Sequence, residues 1–84
     1  MSRVYEGGGF SVYVYAPPRE HRPPHAHVEC TRGGEVMVTL GNDYAAPVLW
    51  QNHHMRAEDA REALRIVERN QERLIEEWRR LHGS

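Results

Sequence analysis

Lysine is missing from this chain of 84 residues: all eleven basic residues are arginine. A GC-rich coding bias accounts for that more simply than a surface built around the planar, bidentate guanidinium group. Cysteine is nearly missing as well. With Cys30 alone, an intramolecular disulfide is excluded and a reducing compartment is expected, so cytoplasm is the expected location. No apolar run approaches the roughly 18 residues that a membrane span needs, and Met1-Ser2-Arg3-Val4-Tyr5-Glu6 contains no apolar stretch of signal-peptide length. An excess of one charge is absent too. The net charge of −1 gives no bulk electrostatic case for nucleic acid binding. The chain is also short. Residues 1–84 make one domain with a single modest core, and a deep cavity enclosed by one chain is excluded, so any active site would be shallow or shared with a partner. A hydrophobic content of 39% beside 27% charged residues is that of a soluble globular domain rather than a disordered one.

What the chain does have is a histidine-rich stretch, Glu20-His21-Arg22-Pro23-Pro24-His25-Ala26-His27-Val28-Glu29, in which three of the six histidines fall within seven residues. If residues 25–30 form a strand, side chains alternate between its faces. Ala26, Val28 and Cys30 then face the core, while His25, His27 and Glu29 line the outer face about 6.6 Å apart along the strand. Two imidazoles and a carboxylate in a row suit a metal site, a recognition surface or plain solvent. The prolines at 17, 18, 23 and 24 fix φ and stiffen the connection that carries His21, which either pre-places that histidine near the other two or simply spans between strands.

The flanking pattern is that of a small sheet. Arg3-Val4-Tyr5-Glu6 is a short first strand, Gly7-Gly8-Gly9 a turn or bulge, and Phe10 to Tyr15 a β-branched and aromatic strand with Phe10, Val12 and Val14 on one face and Tyr13 and Tyr15 on the other. Gly33-Gly34 suits a tight reversal, so residues 25–31 and 35–40 pair as an antiparallel hairpin with Val36, Val38 and Leu40 inward. Tyr44 to Gln51 makes a weaker strand whose Pro47 argues for an edge position or a bulge.

One long helix follows, over about residues 57–81. Ala60, Leu64, Val67, Gln71, Leu74, Trp78 and Leu81 recur at spacings of four and three and form the stripe that packs on the sheet. Gln71 is the polar exception, marking a second chain, a water or a slight kink. Arg61, Arg65, Arg69 and Arg73 form another line, but interspersed glutamates make it a mutually paired, solvated face rather than a phosphate-binding ridge. The predicted fold class is therefore α+β: a small antiparallel sheet of three to five strands within about residues 3–51, followed by one long C-terminal helix packed on one face.

This order of elements, with His-x-Pro-Pro-His-x-His-Val-Glu near its centre and Leu-x-x-x-Trp in the helix, resembles the bacterial family catalogued as domain of unknown function 4160 (DUF4160) over about residues 3–81. The resemblance implies that the family's signature histidines fall on His21, His25 and His27, its following acid on Glu29 and its late tryptophan on Trp78. Family members commonly have Asp where this chain has Glu20, and often an aromatic residue where it has Ala26. The resemblance further implies a genomic setting beside another small protein, in arrangements suggestive of a toxin and antitoxin pair.

Two functions from different classes emerge. In one, the chain is a partner-binding module, one half of a two-protein regulatory or toxin-antitoxin-like unit, presenting its sheet edge and histidine loop to a cognate protein or, with weaker support, to RNA. In the other it is a small hydrolase or nuclease, in which His21, His25 and His27, with Glu29, hold a divalent transition metal such as Zn or Ni or act as acid and base on a phosphodiester. His53 and His54 do not fit as joint ligands, because adjacent side chains on an extended segment point apart. An edge strand in so small a domain also predicts a homo-oligomer or a complex with the product of a neighbouring gene, and no membrane association.

Overall fold

The computed structural model describes residues 2–16, 23–42 and 44–83. Five strands, β1 (Ser2–Gly7), β2 (Phe10–Val14), β3 (His25–Cys30), β4 (Glu35–Thr39) and β5 (Val48–His53), form one antiparallel sheet in the order in which they occur in the chain. Two helices follow, α1 (Ala57–Arg69) and α2 (Gln71–His82). The strand alternation expected for β2, β3 and β4 is the one observed. Val12 faces Val28, Val28 faces Val36, and Ala26 faces Val38 across the ladder, and all five of these side chains are fully buried. Burying a valine stabilises by about 1.5–3 kcal/mol, so a slip of one residue, which would turn these side chains out, is strongly disfavoured.

Glycine sets the hairpins. Gly8 and Gly9, with φ of 60° and 88°, close β1 on β2 as a two-residue loop with both central residues left-handed, matching strand twist. At Gly34, with φ of 92°, an added Cβ would lie 2.4 Å from the backbone N of Met55, so that position admits no side chain.

The helical segment differs from the expected single helix. Asn70 (φ −112°, ψ 14°) interrupts it, and its side-chain Nδ2 donates to the Ile66 carbonyl at 2.9 Å. An amide side chain that bonds the turn behind it competes with the regular backbone ladder and bends the helix. The interruption is one residue long, since the Leu74 N–H still reaches the Asn70 carbonyl at 2.9 Å. Gln71, half-buried, opens the second helix directly after this kink. The buried stripe is also wider than the predicted one: Val67, Leu74 and Trp78 are buried as expected, Leu64 only partly, and Ala63 and Ile66 join the core. The last strand is shifted as well. It begins after Pro47 rather than enclosing it, because a residue without an N–H is better placed ahead of the ladder than in it. β5 is nonetheless an edge, and its register against β4 is interrupted between Leu49 and Gln51.

On the outer helix surface, Glu62 accepts from Arg65 at 2.9 Å and from Arg69 at 3.3 Å, as a paired solvated face should. Arg73 departs from that pattern and donates to the Val4 carbonyl at 2.9 Å, at the register shift in β1. Beside it, hydrogen bonds from Arg80 first and Ser2 second hold the Glu77 carboxyl down at about 2, so Glu77 also links α2 to β1. A carboxylate whose folded value is depressed contributes stability above its unfolded value and loses it as pH falls through the folded one. Acid titration of stability from about pH 4.5 to 2 should therefore be shallower for Glu77→Gln, read by circular dichroism; identical acid limbs would contradict the linkage. Among the described residues, no helix is long and apolar enough to cross a membrane.

Candidate functional site

The site is built at the start of β3. Strand alternation sends His25 and His27 to the face opposite Ala26 and Val28, as the sequence predicts, yet both imidazoles are buried, at 3% and 8% exposure. Aromatic side chains cover them. The Tyr15 ring meets His27 edge-on with centroids 4.6 Å apart, and Trp50 meets His25 edge-on at 5.2 Å. Trp78 lies 5.5 Å from His25, and on its own ring His82 stacks at 3.7 Å, almost parallel. The His82 Nε2–H donates to the Tyr15 carbonyl at 2.8 Å, which ties the end of α2 to the end of β2.

Each of the two central histidines is held in a defined orientation. His25 Nδ1 lies 2.8 Å from the Pro23 carbonyl oxygen, and His27 Nδ1 lies 3.1 Å from Glu35 Oε2. Both neighbours are pure acceptors, so both Nδ1 atoms must carry a proton and donate. In the neutral rings the basic nitrogen is then Nε2 in each case. The ring centroids are 5.1 Å apart. Glu35 is diagonal to His27 across the hairpin and stands directly opposite Glu29, so the hydrogen bond from His27 offsets a like-charge pair.

The structure brings together two of the four predicted site residues. His25 and His27 are neighbours; Glu29 is exposed further along the strand and is not part of their cluster. His21 lies outside the described residues. Among those that are described, no group of three or more His, Cys, Asp or Glu side chains is arranged to hold a metal ion. His53 is exposed at the end of β5, and His54 is left-handed (φ 69°) rather than extended.

Sequence reasoning missed Glu35, Trp50 and His82. The hairpin register would have placed Glu35 on the histidine face, and the spacing of four between Trp78 and His82 would have stacked those rings on one helical side. Nothing local to Trp50 indicates that it reaches His25.

A second feature is the edge itself. All six residues of β5 are exposed and none is charged, with Val48 at 59%, Leu49 at 36% and Trp50 at 45% exposure, and Tyr44 before them is 96% exposed. Natural edge strands are usually guarded by charge, proline or a covering element; within β5 neither charge nor proline is present.

No curated protein and no solved structure gives a significant match to the chain. A family model does match, over residues 9–79, a span that runs from the first hairpin to α2 and includes the two buried histidines, the uncharged edge and Trp78. The chain thus belongs to the family described as Domain of unknown function (DUF4160).

Proposed function

We propose that the protein is a partner-binding module whose docking element is β5, acting in the cytoplasm as one half of a two-protein regulatory or toxin-antitoxin-like unit. The observation that supports this reading is an edge strand exposed along its whole length, uncharged, and bearing Val48, Leu49 and Trp50. Such an edge gains main-chain hydrogen bonds by accepting a further strand, while its side chains supply specificity. The added strand comes from a second copy of the chain or from the product of a neighbouring gene; a net charge of −1 makes RNA the less supported partner.

Val48→Lys tests this. A lysine on an exposed edge opposes strand addition, yet the site is 59% exposed, so stability should change by no more than about 0.5 kcal/mol. Wild-type chain is expected to scatter light as a dimer or larger at micromolar concentration, or to retain the neighbouring gene product on copurification, and the variant to do neither. A wild-type monomer that retains no such protein would defeat the proposal.

The pairing of His27 with Glu35 favours a second reading, a histidine-dependent hydrolase or nuclease in which Glu35 orients the imidazole. In that case phosphodiester cleavage should disappear in His27→Ala.

A further inference from the structure

We propose that a shallow cleft between β3, β4 and α2 binds a small monocarboxylate that carries one compact apolar group, such as an aryl or branched-alkyl acid. The cleft has a volume of about 350 Å³, at the small end of the range for ligand sites. Its apolar wall is made by Pro24 on the chain entering β3, Leu40 on the chain leaving β4, and Ile75 and Trp78 one turn apart on α2. The first two are held together, because the Leu40 N–H donates to the Pro24 carbonyl at 2.9 Å. The Trp78 indole is held as well, with the centroid of the stacked His82 ring at 3.7 Å and that of His25 at 5.5 Å. Beyond Leu40 the chain folds tightly on itself: the Asn42 N–H donates to the Ala45 carbonyl at 2.8 Å, and a Cβ added to Gly41 would lie 2.0 Å from that oxygen. The cleft is thus preformed, with Gly41, Asn42 and Arg79 completing its lining.

The charge of the ligand follows from Arg79. The last turn of α2 carries three basic residues, Arg79, Arg80 and His82. Arg80 is paired with Glu77, and the His82 Nε2–H donates to the Tyr15 carbonyl. Among the described residues no hydrogen bond or ion pair engages Arg79, although Glu72 and Glu76 lie beside it along α2. An apolar wall with an unpaired guanidinium in the lining suits a ligand that has both an apolar body and an anionic end, and the planar fork of arginine matches a carboxylate in particular. A single guanidinium with two acids nearby favours a monoanion over a phosphate dianion. The volume admits one ring or branched chain rather than a larger body.

No residue of β5 lines the cleft, so this site and partner docking on β5 stand or fall separately. The test is a nuclear magnetic resonance titration of the whole chain with phenylacetate and with its neutral counterpart phenylacetamide, read at the Trp78 indole and the Leu40 and Ile75 methyl groups. Phenylacetate should give saturable shifts at these groups with a Kd in roughly the millimolar range, as befits so small a ligand. Phenylacetamide should bind about 5-fold more weakly, the upper end for an exposed ion pair. Arg79 is exposed, so Arg79→Gln should fold normally and bind acid and amide alike, whereas Arg61→Gln, which removes an exposed arginine from α1, should behave as wild type. The absence of saturable shifts with phenylacetate, equal binding of acid and amide by the wild-type chain, or a preference for the acid that survives in Arg79→Gln would each overturn the assignment. So would tighter binding of the dipeptide N-acetyl-Leu-Phe than of phenylacetate, which would give the cleft to a chain terminus instead of a small acid.

Discussion

Trp78→Ala should destabilise the protein by about 3–5 kcal/mol, the range for removing a buried large aromatic side chain. Trp78 is 5% exposed and belongs to the core that α2 shares with the sheet. The indole also does two things that an aliphatic side chain would not. It stacks against His82, whose Nε2–H in turn holds the Tyr15 carbonyl, and it contacts the His25 ring. Its removal should therefore loosen the junction between the end of α2 and the end of β2 and free the orientation of His25. Denaturant unfolding measures the first effect, and the imidazole resonances of His25 and His82 in a nuclear magnetic resonance spectrum measure the second. A loss under about 1 kcal/mol with unchanged imidazole shifts would mean that α2 does not support the histidines.

Leu74→Ala should cost about 2–5 kcal/mol through lost burial and a cavity that collapses incompletely. Leu74 is fully buried, and its N–H makes the hydrogen bond that carries the helix across Asn70. Because α1 and α2 meet only at that kink, the second helix relies on its own anchors, chiefly Leu74 and Trp78. The destabilisation should appear as one cooperative transition if the two helices unfold together with the sheet. A separate early loss of helical signal would show instead that α2 is an independent, weaker unit.

The strands were legible because a sheet with one buried face imposes a period of two, and Val12, Val14, Val28, Val36 and Val38 all obey it. The stripe signalled the kink only through its polar member Gln71, as one of three alternatives; the break itself, at Asn70, depends on which carbonyl the Asn70 side chain prefers. Pro47 correctly indicated an edge, but the strand runs over Val48–His53 and so starts four residues later than the expected Tyr44. At the site, alternation placed His25 and His27 together and could not tell that they are buried, since burial there comes from Tyr15, Trp50 and Trp78, which are far apart in the chain. Glu29 shows the opposite case. It shares the face of the two histidines by parity, but the hairpin register gives His27 to Glu35 instead.

The most direct test of partner binding through β5 is hydrogen exchange of the backbone amides, read by mass spectrometry in the associated and the dissociated chain. An added strand satisfies amides that otherwise exchange with solvent. The predicted result is new protection confined to Val48–His53 on association, absent in Val48→Lys. Protection appearing on β1 or on the helices instead, with β5 exchanging at the same rate in both states, would contradict it.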